Sequence, residues 1–196
     1  SKDSKDQFTQ RIIYQNKDFL IINKLRGYSV QRGSKVNISL KDYYESLLNT
    51  NLYIVHRLDK DTTGLMIFAK NRIAASRISK LFLNNKIHKF YIVSTDNLFK
   101  KNSGFLNNKN NENKTLKLLF RRIHLNNSTN TYLIKLLTGK KHQIRFQFFL
   151  NDNPIIGDKK FNSKSKFDLQ LSSVSLNFIY DEKFYKFKLS LNQIFQ

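Results

Sequence analysis

Short runs of β-branched and aromatic residues, each closed off by a polar turn, recur from Arg11 to Leu191 and commit most of this chain to strands. Residues 11–14 and 19–23 flank a polar 15–18 and predict a hairpin. Further strands are expected at 52–55, 64–70 and 87–95, with a second hairpin from 116–125 and 131–137 across 126–130. A last pair, 169–180 and 183–191, turns at Asp181 and Glu182. Helices are fewer. Ser39 is placed to cap one whose apolar stripe is Leu40, Tyr43, Tyr44, Leu47 and Leu48, and Asn71 caps another with Ala74, Ile78, Leu81 and Phe82. Residues 141–150 suit a third. Strands joined by short turns, with helices interspersed, predict an α+β fold built on a mostly antiparallel sheet. At 196 residues the chain suits one domain. The Asn/Lys-rich 97–114 reads as a surface loop, and the polar 1–10 as a tail or the remnant of a linker, leaving 11–196 as the domain proper.

The longest apolar run, Leu65 to Ala69, is far short of the roughly 20 residues that cross a bilayer, so no membrane role is expected. With no Cys there is neither a disulfide framework nor a thiolate metal site, which fits a reducing compartment: a bacterial cytosol, or an organelle matrix in a eukaryote. Lys and Arg number 35 against 14 Asp and Glu, a net +21 that favours a polyanionic partner. A+T-rich codons account for part of that excess, since Ala occurs only at 69, 74 and 75 and Pro only at 154.

Three segments set unusual polar residues beside apolar strands. In HRLDKDTTGL, from His56, a tight connection between two strands presents Asp59 at its centre. In TGKKHQIR, from Thr138, three cations and a His follow a glycine, without the first glycine or the Ser/Thr of a phosphate-binding P-loop. In HKFYIV, from His88, Lys89 and Tyr91 share one face of a strand. Taken singly, these are a backbone-bonding turn Asp, a solvated basic helix and ordinary cross-strand residues.

Taken together, and in this order, they resemble the RluA family of pseudouridine synthases. HRLDKDTTGL is similar to that family's HRLDxxTSGL signature, GKKHQIR to its GRxHQIR, Lys89-Phe90-Tyr91 to its K-x-Y, and Asn23-Lys24-Leu25-Arg26-Gly27 to its NKPxG. Val30 to Ser34 is most like the branch acting on large-subunit ribosomal RNA. The departures are Leu25 for a proline, Lys140 for an arginine, and LQLSSVSL from Leu169 where the family carries an LFLHA-like element. The resemblance implies a mixed, mostly antiparallel sheet flanked by helices around a central cleft. It implies isomerisation of uridine in RNA, by cleaving the bond from N1 to C1′, turning the base and rejoining it through C5. The reaction takes no cofactor and no metal, and a monomer acting on RNA is expected.

Within that resemblance the catalytic residues are Asp59, Tyr91 and Arg145. Asp59 serves as nucleophile or as the base that starts glycal formation, Arg145 pairs with it, and Tyr91 lies against the uracil. Ile144 is expected in the pocket wall. Arg57 fills the stack left by an extracted uridine or, alternatively, contacts a phosphate at the surface. Lys24, Arg26, Arg32, Lys89, Lys140, Lys141 and His142 are expected to hold RNA, with His142 alternatively only orienting the segment around Arg145. Rival expectations are an inactive relative that binds ribosomal RNA as an assembly factor, a synthase directed at transfer RNA, and a basic structural ribosomal protein.

Overall fold

The computed structural model describes residues 2–125, 129–161 and 164–196. In chain order the elements are α1 (Lys2–Thr9), β1 (Ile12–Gln15), β2 (Phe19–Lys24), α2 (Leu40–Leu48), β3 (Tyr53–Ile54), β4 (Thr63–Ala69), α3 (Arg72–Leu83) and β5 (His88–Thr95). They continue with β6 (Ser103–Lys109), β7 (Thr115–Ile123), β8 (Asn130–Leu136), α4 (Gln143–Leu150), β9 (Leu171–Tyr180), β10 (Lys183–Lys188) and a short 3-10 turn, Leu191–Gln193. One sheet runs in the order β1-β2-β4-β9-β5-β8-β7-β6, with β3 on β4 and β10 on β9. Every pairing is antiparallel except that of β4 with β9. The expected α+β sheet is therefore what the chain forms.

Period two explains how one sheet holds two cores. Leu20, Ile22, Met66, Phe68, Val93, Tyr132 and Ile134 face one side, where Tyr44 of α2 and Ile144 and Phe148 of α4 cover them. Phe19, Ile21, Leu65, Ile67 and Phe178 face the other, under Ala74 and Ile78 of α3. Strands β2 and β4 are buried at every position because both faces are covered there. The caps fall where the side chains foretold. Ser39 and Asp42 form a reciprocal capping box, and Asn71 accepts from the Ala74 amide at 2.8 Å.

Two expectations fail, both through tertiary contacts. The polar stretch taken for a tail is helix α1, anchored by Phe8, which is buried against Tyr28, Tyr43 and Tyr44 and whose carbonyl accepts from the Tyr44 hydroxyl. The stretch 97–114 is not a loop throughout. Its Ser103–Lys109 pairs residue for residue with β7 as the edge strand β6, so ladder hydrogen bonds override a poor strand composition. Smaller differences lie at the ends: β3 keeps two residues, and α4 begins at Gln143 because His142 is left-handed, with φ 54°. The turn expected across 126–130 falls partly on 126–128, outside the described residues.

Gly64 marks the one parallel junction. Its φ is +110°, and a Cβ there would lie 2.1 Å from the carbonyl oxygen of Ser173 on β9. Gly64→Ala is therefore expected to cost about 3 kcal/mol or more, from backbone strain and forced strand separation, which urea denaturation would read as a lowered midpoint.

Candidate active site

The connection from β3 to β4 carries Asp59. Its shape is fixed from below by Lys24, whose ammonium donates to the carbonyls of Leu25, Lys60 and Thr62 at 2.8 to 2.9 Å. Burial, partly opposed by Asp61 and Asp59, draws this amine down to about 7. Lys24 is fully buried with its donors spent on three carbonyls, so the expectation that it holds a phosphate is corrected: it builds the loop. Lys24→Met would strand those acceptors, and a loss of roughly 3 kcal/mol is expected by urea denaturation. Arg26 is also turned away, donating to the Leu169 and Phe195 carbonyls and pairing with Asp168 at 3.5 Å. Its contacts tie down the C-terminal segments rather than reach the cleft.

Asp59 is held from two sides. Arg145 Nη1 lies 3.3 Å from its Oδ2, and His142 Nε2 3.4 Å from its Oδ1. Both come from the start of α4, where the left-handed His142 turns its ring toward the carboxylate. The segment is pinned by Gln143, which accepts from Thr138 Oγ1 and the Lys140 amide and donates to the Lys117 carbonyl and Gln147.

Arg145 is itself fixed by a residue that the sequence did not single out. Asp158, with a side chain wholly buried, takes Arg145 Nη2 at 2.7 Å and Nε at 2.9 Å, and also accepts from the amides of Lys160 and Phe161. Such a two-pronged pair fixes the plane of the guanidinium as well as its position. Burial works against the Arg145 cation, but hydrogen bonds and charge from Asp158 and Asp59 outweigh it and raise its pKa, so the arginine stays charged.

A cleft of about 890 Å³ opens above this pair, lined by Asp59, Tyr91, Lys89, Leu136, Ile144 and Leu171 among others. Tyr91 projects from β5 between Ile134 and Ser173 and is 7% exposed. Burial and then the charge of Asp59 push its hydroxyl up, so at neutral pH it is a phenol. Lys89 is drawn down by burial, and its ammonium lies 5.9 Å from the centroid of Phe82. A Cβ at Gly139 would sit 2.8 Å from that ammonium, so a glycine there leaves the lysine its room. His56 is spoken for: its Nε2 accepts from the Ile67 amide at 3.0 Å, its ring stacks on Phe82, and burial with the charge of Lys89 drives it down to about 3. Arg57, Lys140 and Lys141 are exposed on the rim, as is Arg32, which pairs with Asp42. Of the residues expected at the site, the structure thus gathers all but Lys24 and Arg26.

The arrangement presents a carboxylate, a fixed cation and a neutral phenol around a cleft with a basic rim. Comparison with known proteins places the chain in one family. The family described as RNA pseudouridylate synthase covers residues 18–149. An uncharacterized RNA pseudouridine synthase of Mycoplasma capricolum is 32% identical over 189 residues, spanning 82% of this chain and 61% of that protein. The ribosomal large subunit pseudouridine synthase C of Buchnera aphidicola is 30% identical over 205 residues, spanning 91% of this chain and 65% of the relative. The chain thus spans under two thirds of the length of these two relatives. The solved structure of human RNA pseudouridylate synthase domain containing 4 shares the fold, with a TM-score of 0.81 at 19% identity, covering 96% of this chain and 91% of that one.

Proposed function

The chain belongs to the RNA pseudouridylate synthase family, and on that footing we propose that it converts uridine to pseudouridine in RNA, with large-subunit ribosomal RNA as its substrate. The observation that carries the reading is the Asp59 carboxylate, held between Arg145 and His142 and facing a cleft that Tyr91 also lines. In this reading Asp59 acts at the ribose, either by attacking C1′ or by taking the proton that opens a glycal. Both routes need the carboxylate held in one orientation, which Arg145 and His142 do. The N1 to C1′ bond breaks, the freed uracil turns within the cleft, and C5 bonds to C1′ as Asp59 is displaced from C1′ or, in the glycal route, returns its proton to C2′. The proton displaced from C5 leaves to water, and in this reading the Tyr91 phenol, which lines the cleft, relays it by accepting at its oxygen while releasing its own proton. In this reading Arg57 on the rim enters the stack that the uridine vacates, and Lys89, Lys140, Lys141 and Arg32 hold phosphates around it.

The test uses ribosomal and transfer RNA carrying tritium at uridine C5. Release of tritium from the ribosomal RNA is expected. Release from transfer RNA alone would move the substrate, and tight binding with no release would make the protein an RNA-binding relative without turnover.

A further inference from the structure

Strand β5 has two sides, and the cleft uses only one. Tyr91 faces the cleft; Phe90, its neighbour, faces away. The registers place Phe90 opposite Lys135, Lys135 opposite Leu119, and Leu119 opposite Phe105, so these four side chains form one row across β5, β8, β7 and β6. The ammonium of Lys135 lies 5.8 Å from the Phe90 centroid, which confirms that the row shares a face. Period two along β7 adds Lys117 and Arg121 on either side of Leu119, while Leu118 and Phe120 point into the core beneath α4.

This back face is open at β6 and β7, whereas Ile92 and Ser94 of β5 and Thr131 of β8, on the same side, are buried. Phe105 is 50% exposed, Leu119 42%, and Arg121 is exposed. The four strands read HKFYIVST, SGFLNNK, TLKLLFRRI and NTYLIKL, with no Asp or Glu among them, so the charge on this face has one sign. An exposed ring beside an exposed leucine and several cations suits single-stranded nucleic acid, because a base stacks on the ring while phosphates meet the cations. Adjacent strands lie about 4.8 Å apart, so the row from Phe105 to Phe90 spans roughly 14 Å.

We propose that the back face of β5 to β8 is a second RNA-binding surface, which takes a single-stranded segment of the substrate away from the reacting uridine. It rests on the proposed function only for the statement that RNA is the substrate. The charge pattern selects RNA over a second copy of this chain, since two such faces would repel one another.

The chain has no Trp, so Phe105→Trp introduces a single indole on the platform, and Leu119→Trp is the alternative should the first fold poorly. The probe is a short oligoadenylate, which holds no uridine and so cannot engage the chemistry of the cleft. Saturable quenching of the indole is expected. It should be unchanged in an Asp59→Asn background and weakened about tenfold or more by Arg121→Glu with Lys135→Glu, with a shallower salt dependence. Binding of labelled oligoadenylate without indole quenching would overturn the proposal, as would quenching indifferent to the two charge reversals. A dimer in sedimentation that Leu119→Ser dissolves without loss of RNA affinity would also overturn it, and assign the face to a second copy. Because tritium release is measured separately, loss of one reading leaves the other intact.

Discussion

Asp59→Asn is expected to abolish tritium release, leaving below about 1% of wild-type turnover, while the protein folds and binds RNA as before. The amide has the shape of the carboxylate but neither its nucleophilic oxygen nor its basicity, so whichever of the two routes Asp59 serves is closed. Stability should change by no more than about 1 kcal/mol, because Arg145 keeps its two-pronged pair with Asp158 and Asp59 is partly exposed at the cleft. Removing an anion from a basic cleft cannot weaken phosphate contacts, so KM should hold or fall slightly and the loss should lie in kcat. Single-turnover tritium release together with a binding titration separates the two. Turnover above about 1%, or a loss carried by KM, would remove Asp59 from the chemistry.

What the sequence disclosed follows from how local each constraint is. Asp59, Tyr91 and Arg145 were legible because each sits in a short motif that resembles one of the RluA family's; read singly, they are an ordinary turn, strand and helix residue. Asp158 was not. Read locally it is an Asp bonding the amides of its own turn, which it does, and its second task is met only when α4 folds back across the 13 residues that separate it from Arg145. Lys24 misled for the opposite reason, since a lysine before a loop suggests a phosphate contact. Its burial depends on both faces of β2 being covered and on three loop carbonyls converging, which no local pattern records. Phe8 and the edge strand β6 belong to the same class. One aromatic in a polar stretch gains a helix by docking on Tyr43 and Tyr44, and an Asn-rich segment becomes a strand because β7 offers a ladder. The α+β class needed none of this, because alternation along each strand already states which side faces a core.

Arg145→Met should damage the protein twice, and the two injuries can be separated. Arg145 holds Asp59 with one nitrogen and the fully buried Asp158 with two others, so its loss strands one carboxylate at the cleft and another inside the fold. Removing one member of a buried pair typically costs roughly 3–5 kcal/mol, and the urea midpoint should fall accordingly. Turnover should be lost as well, since Asp59 would have no guanidinium to hold it. Adding Asp158→Asn to this variant removes the stranded interior charge while keeping an oxygen for the Lys160 and Phe161 amides. Most of the lost stability should return. Activity should not, because the second substitution does nothing for Asp59, and that divergence between folding and turnover is the signature of one arginine serving two carboxylates. Recovery of activity along with stability would mean that Arg145 matters only as a structural partner of Asp158. A single variant as stable as the wild type would mean that the pair with Asp158 contributes nothing to the fold.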